Sequence, residues 1–171
     1  TVVAWGDNDN GQCSVPSALA NVKMISAGGG HTVALRNDGE VVAWGSNSFG
    51  QCSVPEDLKN VKAISTGWDH TVALKEDGTV VAWGKNSNGQ CNVPYLGKAK
   101  TISAGPDYTV ALSIDGEVFS WGSDTLTGYY IFHNRIGNIK AISAGWQHIA
   151  TIMEDDTVLL WENRSNSKWY K

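Results

Sequence analysis

Apolar runs of five or six residues recur along the chain, separated by breaks rich in Gly, Asp and Asn. One complete cycle reads Asn60-Val-Lys-Ala-Ile-Ser-Thr-Gly67, Trp68-Asp69, His70-Thr-Val-Ala-Leu-Lys75, Glu76-Asp77-Gly78 and Thr79-Val-Val-Ala-Trp-Gly84. It closes on Gly89-Gln-Cys-Asn-Val-Pro94. Runs this short, and this rich in Val, Ile and Thr, predict strands and not helices. Asp77-Gly78 predicts a tight hairpin, because such a turn needs positive φ and glycine adopts it without a steric cost. The segment around Gln-Cys-x-Val predicts a fourth strand, closed by a proline that suits a sheet edge. The runs are nearly continuous in apolar residues instead of alternating, as expected of strands covered on both faces.

The cycle repeats. The Trp of Val-Val-Ala-Trp-Gly returns at Trp5, Trp44, Trp83, Trp121 and Trp161, in steps of 39, 39, 38 and 40. The Gly after Ile-Ser-Ala or Ile-Ser-Thr returns at Gly28, Gly67, Gly105 and Gly145, in steps of 39, 38 and 40. A four-stranded unit of this length is the size of a propeller blade, and no helical period runs inside a unit. The sequence therefore predicts an all-β propeller of four-stranded blades, with units near 1–21, 22–60, 61–98, 99–138 and 139–162 and a polar tail at 163–171. The unit after Trp121 loses the Gly-Gln-x-x-Val-Pro ending, and the last one carries Asp155-Asp156 where Asp-Gly stands elsewhere. Atypical terminal units are expected of a capped array. With about four repeats, the ring closes within the chain, is an open arc, or is completed by self-association.

Composition narrows the function. A net charge of −4 lacks the clustered Lys and Arg that grip a phosphate backbone, so nucleic acid is not an expected partner. No apolar run approaches the roughly eighteen residues of a membrane-spanning helix, and no membrane insertion is expected. Cys13, Cys52 and Cys91 fall one per unit, which predicts free, mostly buried thiols and no disulfide. The five repeated tryptophans read as blade core. His31, His70 and His148 share one position, with Tyr108 as its counterpart, and read as structural groups bonded to backbone. No Ser-His-Asp set, paired carboxylates or metal-ligand spacing can be assembled, so neither catalysis nor a metal or cofactor is expected. Asp7-Asn-Asp-Asn-Gly11 lacks the late acidic residue of a calcium loop. Asn163-Arg-Ser165 fits a glycosylation acceptor.

The combined phrase Ile64-Ser-Thr-Gly67, His70-Thr-Val-Ala-Leu74, Asp77-Gly78, Val80-Val-Ala-Trp-Gly84, Gly89-Gln90 and Val93-Pro94 resembles the repeats of the regulator of chromosome condensation family. The likeness runs from residue 1 to about 162. WD-type blades end in Trp-Asp, whereas here Trp5, Trp44, Trp83 and Trp121 precede Gly. The short units are similar to a bacterial branch that includes a propeller-type inhibitor of β-lactamases. That resemblance implies a secreted or cell-surface bacterial protein whose loops present aromatic residues to a partner protein.

Positions that differ between units are the ones free to bind. The pair between first and second strands is Gly29-Gly30, Trp68-Asp69, Pro106-Asp107 and Trp146-Gln147, and Phe49 varies in the loop after Trp-Gly. All copies of these loops emerge on one face of a propeller. Aromatic side chains beside polar ones match the composition of interaction hot spots. The expected contact set is Phe49, Trp68, Asp69, Asp107, Tyr108, Trp146 and Gln147, with another protein as the partner. A lectin-like role is the alternative, since the same residue types also stack on and hydrogen-bond sugars.

Overall fold

The computed structural model describes residues 1–123 and 138–162. Four antiparallel sheets of three strands follow one another along the chain. Blade 1 holds β1 (Val22–Ala27), β2 (His31–Arg36) and β3 (Val41–Gly45). Blade 2 holds β4 (Val61–Thr66), β5 (His70–Lys75) and β6 (Val80–Gly84). Blade 3 holds β7 (Ala99–Ala104), β8 (Tyr108–Ser113) and β9 (Val118–Gly122). Blade 4 holds β10 (Ile139–Ala144), β11 (His148–Met153) and β12 (Val158–Glu162). Each first strand shifts register by a bulge near its start, as between Val61 and Ala63.

Blades stack face to face. Val33, Leu35 and Val41 on the forward face of blade 1 pack against Ile64, Ala73 and Trp83 on the rear face of blade 2. Val72, Leu74 and Val80 meet Ile102, Ala111, Phe119 and Trp121 in the same way. Tyr108, Val110, Leu112 and Val118 then meet Ile139 and Ile149 of blade 4. The middle strands of blades 1 to 3 are buried on both faces, which explains their unbroken apolar pattern. Among the described residues no such cluster joins blade 4 to blade 1.

The expected fourth strand is absent from the described residues: the Gly-Gln-Cys segments form turns that pack on the blade. Their backbone groups are satisfied locally. Asn47 Oδ1 accepts from Cys52 N at 2.9 Å, Ser53 N donates to Gly50 O at 3.0 Å, and Val54 N donates to Cys52 O at 3.0 Å. What stays fixed is the Gln carbonyl. Gln51 O accepts from Trp83 Nε1 at 3.0 Å and from Thr71 Oγ1 at 2.9 Å. Gln12 serves Trp44 and Thr32, and Gln90 serves Trp121 and Thr109, in the same manner. The repeated Trp is thus a clamp that holds a blade to the loop preceding it.

Trp5 departs from the expected core role. It is 85% exposed, and among the described residues no inner strands pair with residues 1–5. Val2 and Ala4 are half-buried while Val3 and Trp5 are exposed, the alternation of a strand with one covered face. Gly6 keeps φ at 113°, beside 103°, 104° and 119° at Gly45, Gly84 and Gly122. At Gly84 a Cβ would stand 2.6 Å from Asp69 O, so the Trp-Gly step is required by a close approach of two chains. The diverged stretch Leu126–Phe132, His133, the glycosylation motif and the polar tail lie outside the described residues.

Candidate functional site

The loop between first and second strands is tied to the loop after the third at one end of blades 1 to 3. Ser46 N donates to Gly30 O, Lys85 N to Asp69 O and Ser123 N to Asp107 O, at 2.8, 2.8 and 2.9 Å. These bonds set the variable residues on a common rim. Gly28, Gly67, Gly105 and Gly145 line a funnel of about 320 Å³ with Trp68 and Trp146 at its mouth. Their indole rings meet edge to face across it, with centroids 5.1 Å apart and planes at 69°. Each ring is still about half exposed, Trp68 at 46% and Trp146 at 64%. Blades 2 and 4 thereby build one aromatic surface from loops far apart in sequence.

A polar band adjoins it. Lys85 Nζ lies 3.1 Å from Asp107 Oδ1, 3.8 Å from Asp69 Oδ2 and 5.7 Å from the centroid of the exposed Phe49 ring. Gln51 Nε2 and Gln90 Nε2 donate to Asp69 and Asp107, each at 3.4 Å, from fully buried side chains. The two carboxylates share one cation and take one amide each, while remaining partly open to solvent. Lys85 was not among the residues expected on the rim. Its signal was available in the sequence, since the residue after Trp-Gly varies as Asp7, Ser46, Lys85 and Ser123.

Of the expected contact residues, Phe49, Trp68, Asp69, Asp107, Trp146 and Gln147 all lie on this rim. Tyr108 does not belong with them. It is 2% exposed, and its hydroxyl donates to Gly145 O and His148 O of blade 4 at 2.9 and 2.8 Å. Burial pushes the phenol up to about 12. Tyr108 is a blade-to-blade bolt and not a surface group.

The histidines also differ from expectation in their partner. His31 Nε2 lies 3.0 Å from Thr71 Oγ1, and His70 Nε2 lies 3.0 Å from Thr109 Oγ1, each on the next blade. The threonine hydroxyl hydrogen is already given to a Gln carbonyl, so the imidazole must donate and carries its hydrogen on Nε2. Burial lowers both rings, His70 to about 4 despite the opposing pull of Asp107. Neutral and buried, they hold blades together.

The cysteines are free but half-buried, less enclosed than expected. Each Sγ donates to the carbonyl at the start of its loop, at Asp7, Ser46 and Lys85. Burial raises the Cys91 thiol to about 11, away from thiolate reactivity. Among the described residues no helix is long and apolar enough to cross a membrane, and no group of three His, Cys, Asp or Glu could hold a metal.

No curated protein sequence matches the chain. Among solved structures it is similar to Prp20p from Saccharomyces cerevisiae, described with its binding to Gsp1p and histones. That match has 22% identity and a TM-score of 0.70, over 86% of this chain and 47% of that one. Human WBSCR16 gives 22% identity and a TM-score of 0.75 over 92% and 56%. The ectodomain of the Physcomitrella patens receptor kinase CR4 gives 22% and 0.73 over 86% and 43%. The chain therefore spans about half the length of these structures, and the likeness is one of fold. The model of the regulator of chromosome condensation (RCC1) repeat matches residues 22–51, 61–90 and 99–126, just over half of the sequence. The chain belongs to the RCC1 repeat family.

Proposed function

We propose that the chain is a non-enzymatic binding module that engages another protein through the rim bearing Phe49, Trp68, Asp69, Asp107, Trp146 and Gln147. One observation carries the reading: Trp68 and Trp146 are held against each other yet stay about half exposed, beside a fixed Asp–Lys–Asp band. Large aromatic anchors whose geometry is set before binding lose little entropy on docking, and polar neighbours add direction. The described binding of Prp20p to Gsp1p and histones supports a protein partner for a propeller of this kind.

The test is affinity capture with the wild-type chain against Trp68→Ala/Trp146→Ala, with partners identified by mass spectrometry. The double variant should fold normally and lose the captured protein. Unchanged capture would refute the rim as the site. A glycan array probed with the same two chains distinguishes a lectin: sugar binding lost in the variant would assign the rim to carbohydrate. Self-association is a separate proposal, and the solution mass of the chain tests it.

A further inference from the structure

Backbone donors around the funnel are mostly spent. Gly28, Gly67, Gly105 and Gly145 give their N–H groups to the carbonyls of His31, His70, Tyr108 and His148, at 2.8 to 2.9 Å. Thr66, Ala104 and Ala144 give theirs to Ser26, Ser65 and Ser103 Oγ. At the mouth the loops are linked from blade to blade. Gly29 N donates to Trp68 O at 3.1 Å, and Trp68 N to Pro106 O at 3.0 Å.

The next link is missing for a covalent reason. Pro106 holds the place of Gly29 and Trp68 but has no N–H to pass on. Among the described residues no donor reaches Trp146 O. That carbonyl is an open acceptor on the same residue whose indole meets Trp68 edge to face. A protein docking here covers it, and a covered backbone carbonyl needs a donor.

The charge balance of the rim points the same way. Asp69 and Asp107 bring two negative charges, and Lys85 returns one. Lys85 Nζ sits nearer to Asp107, at 3.1 Å, than to Asp69, at 3.8 Å, so the surplus falls on Asp69, the residue that follows Trp68. The indole faces add the negative side of two ring quadrupoles. Below them the wall is built of Ala and Gly, which leaves the funnel its 320 Å³ for a long side chain.

An open carbonyl, a surplus carboxylate charge and two indole faces select one kind of group. A carboxylate or phosphate would meet like charge. An apolar side chain would fill the volume but bury the carbonyl unpaired. An ammonium group answers the charge, but a guanidinium group is also planar, stacks on indole and fans five N–H donors towards acceptors in different directions.

We propose that the funnel receives an arginine side chain of the partner protein, its guanidinium stacked on Trp68 and Trp146, donating to Trp146 O and drawn by Asp69. This rests on the rim being the protein-binding surface and names what that surface reads.

The test is a titration of the isotope-labelled chain with the capped peptide Gly-Gly-Arg-Gly-Gly, following the indole N–H resonances. A single anchor of this kind binds at about the millimolar level, and the Trp68 and Trp146 signals should move to saturation there. The citrulline analogue, alike in shape but uncharged, should bind about tenfold more weakly. Asp69→Asn removes the surplus charge, and Pro106→Ala restores an N–H for Trp146 O; each should weaken the arginine peptide by about three- to tenfold. Silent indole signals overturn the proposal, as does a leucine or glutamate peptide that binds as well, or arginine binding that either variant leaves unchanged. Signals that move with protein concentration alone would assign the funnel to a second copy and overturn it too. None of these outcomes removes the rim itself, which fails only if the Trp68→Ala/Trp146→Ala chain still captures the partner of the wild type.

Discussion

His70 and Thr109 lie 3.0 Å apart across the boundary between blades 2 and 3, with both side chains sealed from solvent. Burial holds the imidazole near 4, against about 6.5 in an unfolded chain. A depressed pKa means that the unfolded state takes up the proton first as pH falls. The contribution is therefore complete above pH 6.5 and is lost as pH drops from there towards 4. Its ceiling is on the order of 3 kcal/mol. His31 acts in the same direction. Urea denaturation at pH 7.5 and pH 4.5 should show the loss, and His70→Asn should be less stable at neutral pH but flatter across that window.

Two tryptophans at one repeat position should behave in opposite ways. Trp83 is buried and donates to Gln51 O, so Trp83→Ala should cost about 3–5 kcal/mol. Trp5 is exposed, and Trp5→Ala should stay within about 0.5 kcal/mol of wild type. Equilibrium melts of both at low protein concentration provide the comparison.

The hairpin of blade 4 is mis-furnished for its shape. Asp156 sits at φ 63°, in the place that Gly39, Gly78 and Gly116 hold at 85°, 88° and 81°. Asp156→Gly should raise stability by about 0.5–1 kcal/mol, reduced by whatever its exposed pair with Lys140 contributes. The converse change, Gly78→Ala, should destabilise, since φ is strained and the new Cβ would lie 2.8 Å from Lys98 Cβ. Thermal unfolding reads both.

Trp68 and Trp146 should couple energetically. Edge-to-face pairs contribute about 0.5–1.5 kcal/mol beyond area burial, so a double-mutant cycle to Ala should return a coupling of that size. A coupling near zero would mean the rings touch without holding each other, and a partner would then have to order them on docking.

Much of this was legible from one sequence because the same physical demands recur every blade. The Trp-Gly step, the Asp-Gly turn and the apolar middle strand are each dictated by a neighbour that is itself repeated. What failed did so for local reasons. A fourth strand was read from Gln-Cys-x-Val, but Asn47 and its equivalents satisfy that backbone inside the loop. Trp5 was read as core from its repeat position, yet position confers burial only when the adjoining strands are present. Tyr108 looked like rim variation because sequence does not show that a longer side chain reaches past the missing threonine to two carbonyls. The Trp68–Trp146 contact joins residues whose separation along the chain gives no sign of it.

The tryptophan clamp also fixes where the array can be cut. A boundary drawn before Val22, Val61 or Ala99 follows the sheets, but it parts Trp44 from Gln12, Trp83 from Gln51 and Trp121 from Gln90. Cuts after Gly45 and Gly84 keep each indole with its own acceptor. The transplantable piece is therefore Ser46 to Gly84, a loop followed by its sheet, and engineers who lengthen or shorten the array should splice in that phase.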